Sequence, residues 1–229
     1  MKTNKRSLIL GIVLLLLFLV FTGLVQTYDK HPVAPNNAAN PQLGFAALNT
    51  DVNRFFSETS LFCDNAGTIY DVTEVLGYLT WGVVAVFGLL GLCQLIKRKS
   101  LLKVDRDIIL LGCGYAVMLA LYVLFDKVLI VNYRPANAWD PAKESSYPSS
   151  HTLMLVFVMA TAVIQIVRRM NKGVLRLLLC IVCIVVAAVV TFGRLACGVH
   201  WLTDIIGGVL LAAALAVLYH GLIGPKAEA

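Results

Sequence analysis

Between Lys127 and His151 the chain reads KVLIVNYRPANAWDPAKESSYPSSH, and the residue types in it suit the binding of an anion. If the preceding apolar run is helical to its end, Lys127 and Arg134 lie about two turns apart at roughly 3.6 residues per turn and project from one face. Pro135 is then expected to stop that helix. Pro148, Ser149, Ser150 and His151 open the next apolar run. A helix start there would aim its N–H groups at a phosphate-like group. Further on stand Gly193, Arg194, His200 and Asp204. Phosphoryl transfer without a metal needs fixed cations for the equatorial oxygens, an in-line nucleophile and an acid for the leaving oxygen. Lys127, Arg134 and Arg194 are the candidate cations, the arginines as bidentate donors and the lysine as a point charge. His200 and Asp204 are four apart, so on one helical face the carboxylate would reach Nδ1 and leave Nε2 free as nucleophile. Alone, the pair reads more readily as a helix cap than as a catalytic pair. His151 is the candidate acid. His31, in a polar loop, reads as solvated, and His220, in LAVLYHGLIG, as packed or interfacial.

These residues must be positioned by a membrane protein. Of 229 residues, 59% are hydrophobic and 14% charged, too apolar for an ordinary soluble domain. The net charge of +6 sits in short loops between apolar runs rather than on a basic face with stacking aromatics, so nucleic acid is not expected as a partner. The six cysteines show neither disulfide-framework nor metal-pair spacing. Cys180 and Cys183, inside an apolar run, read as small buried hydrophobes, while Cys63 and Cys197 fall on one side of the membrane. No cluster with metal-ligand spacing appears, and neither a metal nor a cofactor is expected.

Six spans are predicted, at about Leu8–Val25, Val75–Ile96, Ile108–Val131, His151–Val167, Val174–Phe192 and Leu202–Ile223. The first is read as a retained anchor, because its apolar stretch is longer than a signal peptide's and GLVQTYDK offers no small-residue cleavage site. From Tyr28 to Val72 the chain turns polar, with Pro32, Pro35, Asn36, Asn37, Asn40 and Pro41 marking irregular structure. Within it Phe45, Leu48, Val52, Phe55 and Phe56 recur at helical spacing. They predict an amphipathic helix lying on the membrane surface or against the bundle. Thirteen of the 19 Lys and Arg fall in loops on one side, which the positive-inside rule makes cytoplasmic; Lys30, Arg54, Lys127, Arg134, Lys143 and Arg194 fall on the other. Both termini are then cytoplasmic and the motifs extracytoplasmic. The expected architecture is all-α. Residues 1–73 supply the anchor helix and extracytoplasmic loop, and residues 74–229 a single six-span bundle's remaining core.

The motifs resemble those of the type 2 phosphatidic acid phosphatase superfamily, the membrane lipid phosphate phosphatases. Its K-x6-R-P, P-S-G-H and S-R-x5-H-x3-D patterns correspond to Lys127-VLIVNY-Arg134-Pro135, Pro148-Ser149-Ser150-His151 and Gly193-Arg194-LACGV-His200-WLT-Asp204. Ser150 departs from the usual glycine and Gly193 from the usual serine. The resemblance covers roughly Val75 to Ile223 and implies a six-helix fold. It further implies a phosphohistidine on His200, His151 as acid, Asp204 orienting His200, and Lys127, Arg134, Ser149 and Arg194 holding phosphate, with Ser150 beside them. The expected substrate is a lipid phosphate or diphosphate such as undecaprenyl diphosphate, phosphatidylglycerophosphate or phosphatidic acid, with membrane lipids around the protein. The sequence does not choose among them, nor does it set the oligomeric state. A phosphatase of soluble esters and a non-catalytic binder or transporter of anionic lipid are the competing readings. A histidine nucleophile with its acid argues for the enzyme, and the lack of an obvious inverted repeat with broken helices argues against a transporter.

Overall fold

The computed structural model describes residues 3–32, 42–135 and 145–225. Pro35, Asn36, Asn37, Asn40 and Pro41 of the first loop lie outside the described residues, as does the outward cation Lys143. Among the described residues six helices are long and apolar enough to cross a membrane: α1 (Lys5–Thr27), α4 (Ala66–Arg98), α5 (Arg106–Val123, continued by a π-helical turn Leu124–Val128), α6 (Ser150–Arg169), α7 (Val174–Ala196) and α8 (Leu202–Ile223). Between α1 and α4 lie α2 (Ala46–Glu58) and the single turn α3 (Ser60–Cys63). The described strands are a two-residue antiparallel pair, β1 (His31–Pro32) with β2 (Gln42–Leu43). The protein is an all-α, multi-pass membrane protein.

Burial separates the spans into two kinds. Half of the apolar window of α6 and of α8 is buried, against under a fifth in α1, α4 and α7. The outer helices are apolar all round because their other faces meet lipid, not protein. The core is built from Phe18 of α1, Leu111, Tyr115 and Met118 of α5, Leu153 and Phe157 of α6, and Leu211 and Ala212 of α8. The α1 and α8 backbones approach closely at two glycines. A Cβ at Gly11 would come within 2.7 Å of Leu218, and one at Gly221 within 2.7 Å of Leu8. Small residues at such crossings give spans the close packing that replaces the hydrophobic drive within a bilayer.

The two ends of the bundle differ in chemistry. At one end Asp107, almost fully buried, forms an ion pair with Arg168 Nε at 3.2 Å and accepts a hydrogen bond from Arg169 Nη2 at 2.8 Å. Arg98 pairs with Asp105 at 2.7 Å. At the other end gather the start of α4, the end of α5, the start of α6, the end of α7 and the start of α8, which carry the predicted motifs.

Two local expectations are corrected. The third span does not stay helical to Arg134. Its last turn widens into the π turn Leu124–Val128, and residues 129–135 form no regular element apart from an isolated bridge between Tyr133 and Ser145. Lys127 and Arg134 therefore do not share a helical face. The second span also starts nine residues before its predicted Val75, at Ala66. Polar Thr68, Asp71, Thr73 and Glu74 broke the apolar run, yet helix forms without being apolar throughout.

Candidate active site

His200 and Asp204 meet through a turn rather than along one helix. α7 ends at Ala196, and His200 lies in the connection just before α8, whose N-cap is Trp201. Asp204, in the first turn of α8, accepts the Trp201 backbone N–H at 3.0 Å, the return half of a capping box. The same Oδ2 faces His200 Nδ1 at 3.6 Å. Asp204 is thus helix cap and histidine partner together. The contact is longer than a formed hydrogen bond, and such contacts tighten as a reaction complex assembles. Asp204 Oδ1 accepts from Asn132 Nδ2 at 3.2 Å, and Trp201 Nε1 donates to the Tyr133 carbonyl at 2.8 Å. The irregular segment that replaces the end of the expected helix is therefore stitched to the His200 turn, which brings Arg134 beside it.

His200 is 2% exposed, and among the described residues neither of its ring nitrogens has a hydrogen-bond partner. Burial lowers its pKa below the ordinary histidine value; Asp204 opposes this, and Arg134 and Arg194 add to the lowering. The shift favours the neutral imidazole, the state a nucleophile requires.

Arg194, in the last turn of α7, is fully buried, with its guanidinium 4.7 Å from the centre of the Tyr70 ring. Its Nη2 pairs with Glu74 Oε2, while Nε and Nη1 are buried without a partner among the described residues. Gly193 fits for a packing reason, since a Cβ there would overlap the Thr73 methyl group of α4. Loss of the usual serine hydroxyl accompanies a tight α7–α4 crossing.

Ser149 is the N-cap of α6, buried, with Oγ accepting the Thr152 N–H at 3.4 Å and its own N–H donating to the Asp204 carbonyl at 3.0 Å. That last bond ties the α6 start to the α8 start. His151 follows in the first turn of α6, close enough to His200, Arg134 and Arg194 to interact electrostatically. The structure thus gathers His151, His200, Asp204, Arg134, Arg194 and Ser149. Lys127 differs: its side chain is 74% exposed and paired with Asp126 at 2.8 Å. Ser150 lines two hollows. The larger, about 250 Å³, lies between α4, α5 and α6 and is walled by Glu74, Tyr78, Trp81, Leu119, His151 and Met154. The smaller lies against Asp126 and Tyr147.

Glu74 was not among the predicted site residues, although its Oε2 also lies 3.3 Å from His151 Nε2. It belongs to none of the three motifs. The signal that could have found it is an acidic residue at the edge of an apolar run, since ionisable groups in spans are costly and tend to be used. His31 is exposed but not alone, pairing with Asp29 at 3.1 Å. His220 faces Ser7 Oγ at 3.1 Å, an interfacial position. All six cysteines are free, with Cys63 exposed and Cys197 buried.

Fold and site define a polytopic helical membrane protein that holds histidines and arginines together at one end of its bundle. Residues 109–227 match the profile of the PAP2 superfamily, and the chain belongs to that family. Its fold is similar to the crystal structure of a transmembrane PAP2-type phosphatidylglycerolphosphate phosphatase from Bacillus subtilis, at 20% identity and a TM-score of 0.62, over 93% of this chain and 94% of that one. No curated protein sequence matches this chain significantly.

Proposed function

We propose that this protein is a membrane phosphatase that hydrolyses a lipid phosphate or lipid diphosphate through a phosphohistidine. The observation that carries this reading is the buried His200, backed on one side by Asp204 and flanked by Arg134 and the buried Arg194. A binding protein would need the cations but not the histidine pair. In the first step His200 Nε2 attacks phosphorus, the bond from phosphorus to the leaving oxygen breaks, and His151 gives that oxygen its proton. Asp204 stabilises the charge that develops on the His200 ring. Water then attacks the phosphohistidine, losing a proton to His151 as the N–P bond breaks, which releases phosphate and restores both histidines. Arg134, Arg194, Ser149 and the N–H groups at the α6 start hold the phosphoryl oxygens, with Lys127 at the rim. The cations supply the charge that a metal would otherwise bring, and among the described residues no three His, Cys, Asp or Glu side chains group as metal ligands.

A lipid substrate is favoured over a soluble ester by the hollow beside His151, whose walls include Trp81, Leu119 and Met154 on membrane-spanning helices. The similar Bacillus subtilis protein is a phosphatidylglycerolphosphate phosphatase, which makes that lipid the first candidate beside undecaprenyl diphosphate and phosphatidic acid. The site faces the extracytoplasmic side, because the loop cations concentrate at the opposite end. Phosphate release by the purified protein in detergent, measured on those three lipids and on a soluble ester, tests the proposal. Turnover of at least one lipid, kept in EDTA and lost in His200→Ala, is the expected result. Turnover of none, or activity that EDTA abolishes and a divalent metal restores, would contradict it.

A further inference from the structure

Glu74 makes two contacts that a bound phosphoryl group would need. Its Oε2 pairs with Arg194 Nη2 and lies 3.3 Å from His151 Nε2. These are the guanidinium proposed to hold phosphate and the ring nitrogen proposed to protonate the leaving oxygen. The side chain is about one-third exposed and forms part of the wall of the 250 Å³ hollow. It reaches the site because α4 passes close by: one turn further on, a Cβ at Gly77 would lie 3.6 Å from His151 Cδ2. Tyr70, one turn before, lies against the Arg194 guanidinium. Tyr70, Glu74 and Gly77 therefore form one face of α4 turned toward the site.

We infer that Glu74 is a resident carboxylate that competes with phosphate for Arg194 and His151, so that substrate must displace it and its return expels the product. The inference rests on the phosphate-site reading above. A carboxylate and a phosphate dianion cannot both lie against the same Nη2 and Nε2 atoms without strong like-charge repulsion. Before substrate arrives, the carboxylate satisfies one donor of a buried guanidinium that would otherwise face only burial cost. Once phosphate is present, the carboxylate has to swing into the hollow, where its exposed edge already lies. Apparent affinity for any anion is reduced by the fraction of molecules in which the carboxylate still holds the site. A lipid gains further binding from its chain and tolerates that reduction better than free phosphate does. Glu74 thereby sets the balance between lipid capture and product inhibition.

The test is inhibition of lipid phosphate hydrolysis by inorganic phosphate and by orthovanadate, in wild type, Glu74→Gln, Glu74→Ala and Glu74→Asp, with thermal unfolding confirming that each variant is folded. Glu74→Gln and Glu74→Ala are expected to lower the inhibition constants of both anions by roughly tenfold or more, the scale of one close like-charge contact. Glu74→Asp keeps the charge and should stay nearer wild type. Inhibition constants unchanged or raised in the folded Gln and Ala variants, with activity reduced, would overturn the inference and leave Glu74 a fixed partner that orients His151. Direct binding of phosphate to the wild type and to Arg194→Gln, followed by phosphorus NMR, separates the two levels. Binding to wild type that Arg194→Gln abolishes supports the anion site, whereas equal binding to both would contradict that site and this inference together.

Discussion

At the scale of single residues, the two histidines are chemically distinct, and their differences can be measured. Burial holds the His200 pKa below the ordinary histidine value of about 6.5. The ring stays neutral as pH falls through that value and becomes charged only when pH drops further, through the folded-state pKa. Activity should accordingly show no acid limb near pH 6.5, and its loss should begin below it. Asp204→Asn removes the group that raises the His200 pKa, so the acid limb should move lower still while kcat falls by about a hundredfold or more. A limb that stays in place or moves upward would detach Asp204 from His200. His151 has a different signature. As a general acid it is worth roughly a hundred- to ten-thousandfold for a poor alkoxide leaving group and less for a weakly basic one. His151→Ala should therefore lose most activity on phosphatidic acid and retain more on an aryl phosphate; equal losses would leave it as a phosphate ligand only. His151, His200, Asp204 and Arg194, which the structure brings together, could be picked from the sequence because the proposed chemistry needs those types at short spacings. Glu74 was not, since a carboxylate more than fifty residues before the first motif reaches them only through helix packing.

At the scale of elements, α2 was expected as an amphipathic helix from Phe45, Leu48, Val52, Phe55 and Phe56, and it does lie against the bundle. The face it presents is not purely apolar, however. Leu48 and Phe55 remain exposed, while Asn49 is fully buried and Phe56 packs on Phe62 and Phe192. Asn49 Oδ1 accepts the Thr203 N–H at 3.1 Å, and its Nδ2 donates to Thr203 Oγ1 at 3.0 Å and the Gly44 carbonyl at 2.9 Å. Thr203 lies in the first turn of α8, so a side chain from another helix satisfies a donor that the helix start leaves open. Asn49→Ala should lower the unfolding temperature by several degrees and reduce kcat more than it raises KM, because the His200–Asp204 turn loses its support. An unchanged kcat would show that α2 merely covers the site. At the other end, Asp107→Ala leaves Arg168 and Arg169 without their shared buried carboxylate. A loss of about 3–5 kcal/mol is expected, read as a lower midpoint of unfolding. The spans were legible from apolar length alone. The π turn after Val123 was not, because it depends on the Ser145–Phe125 and Tyr133–Ser145 contacts made across a loop.

For the whole molecule, alternation of six spans puts every described motif residue at one end and the Asp107 cluster at the other, and the proposed orientation turns the motif end outward. Cys63 is an exposed native probe at that end. An impermeant thiol reagent should label it in intact cells, with the signal lost in Cys63→Ser. Labelling only after permeabilisation would reverse the orientation. The central claim, that the phosphoryl group passes through His200 on its way to water, has a more direct test in stereochemistry. A substrate whose phosphoryl group is made chiral with sulfur and oxygen isotopes should release thiophosphate of retained configuration, because two in-line displacements invert phosphorus twice. Net inversion would mean that water attacks the substrate directly and that His200 never carries the phosphoryl group.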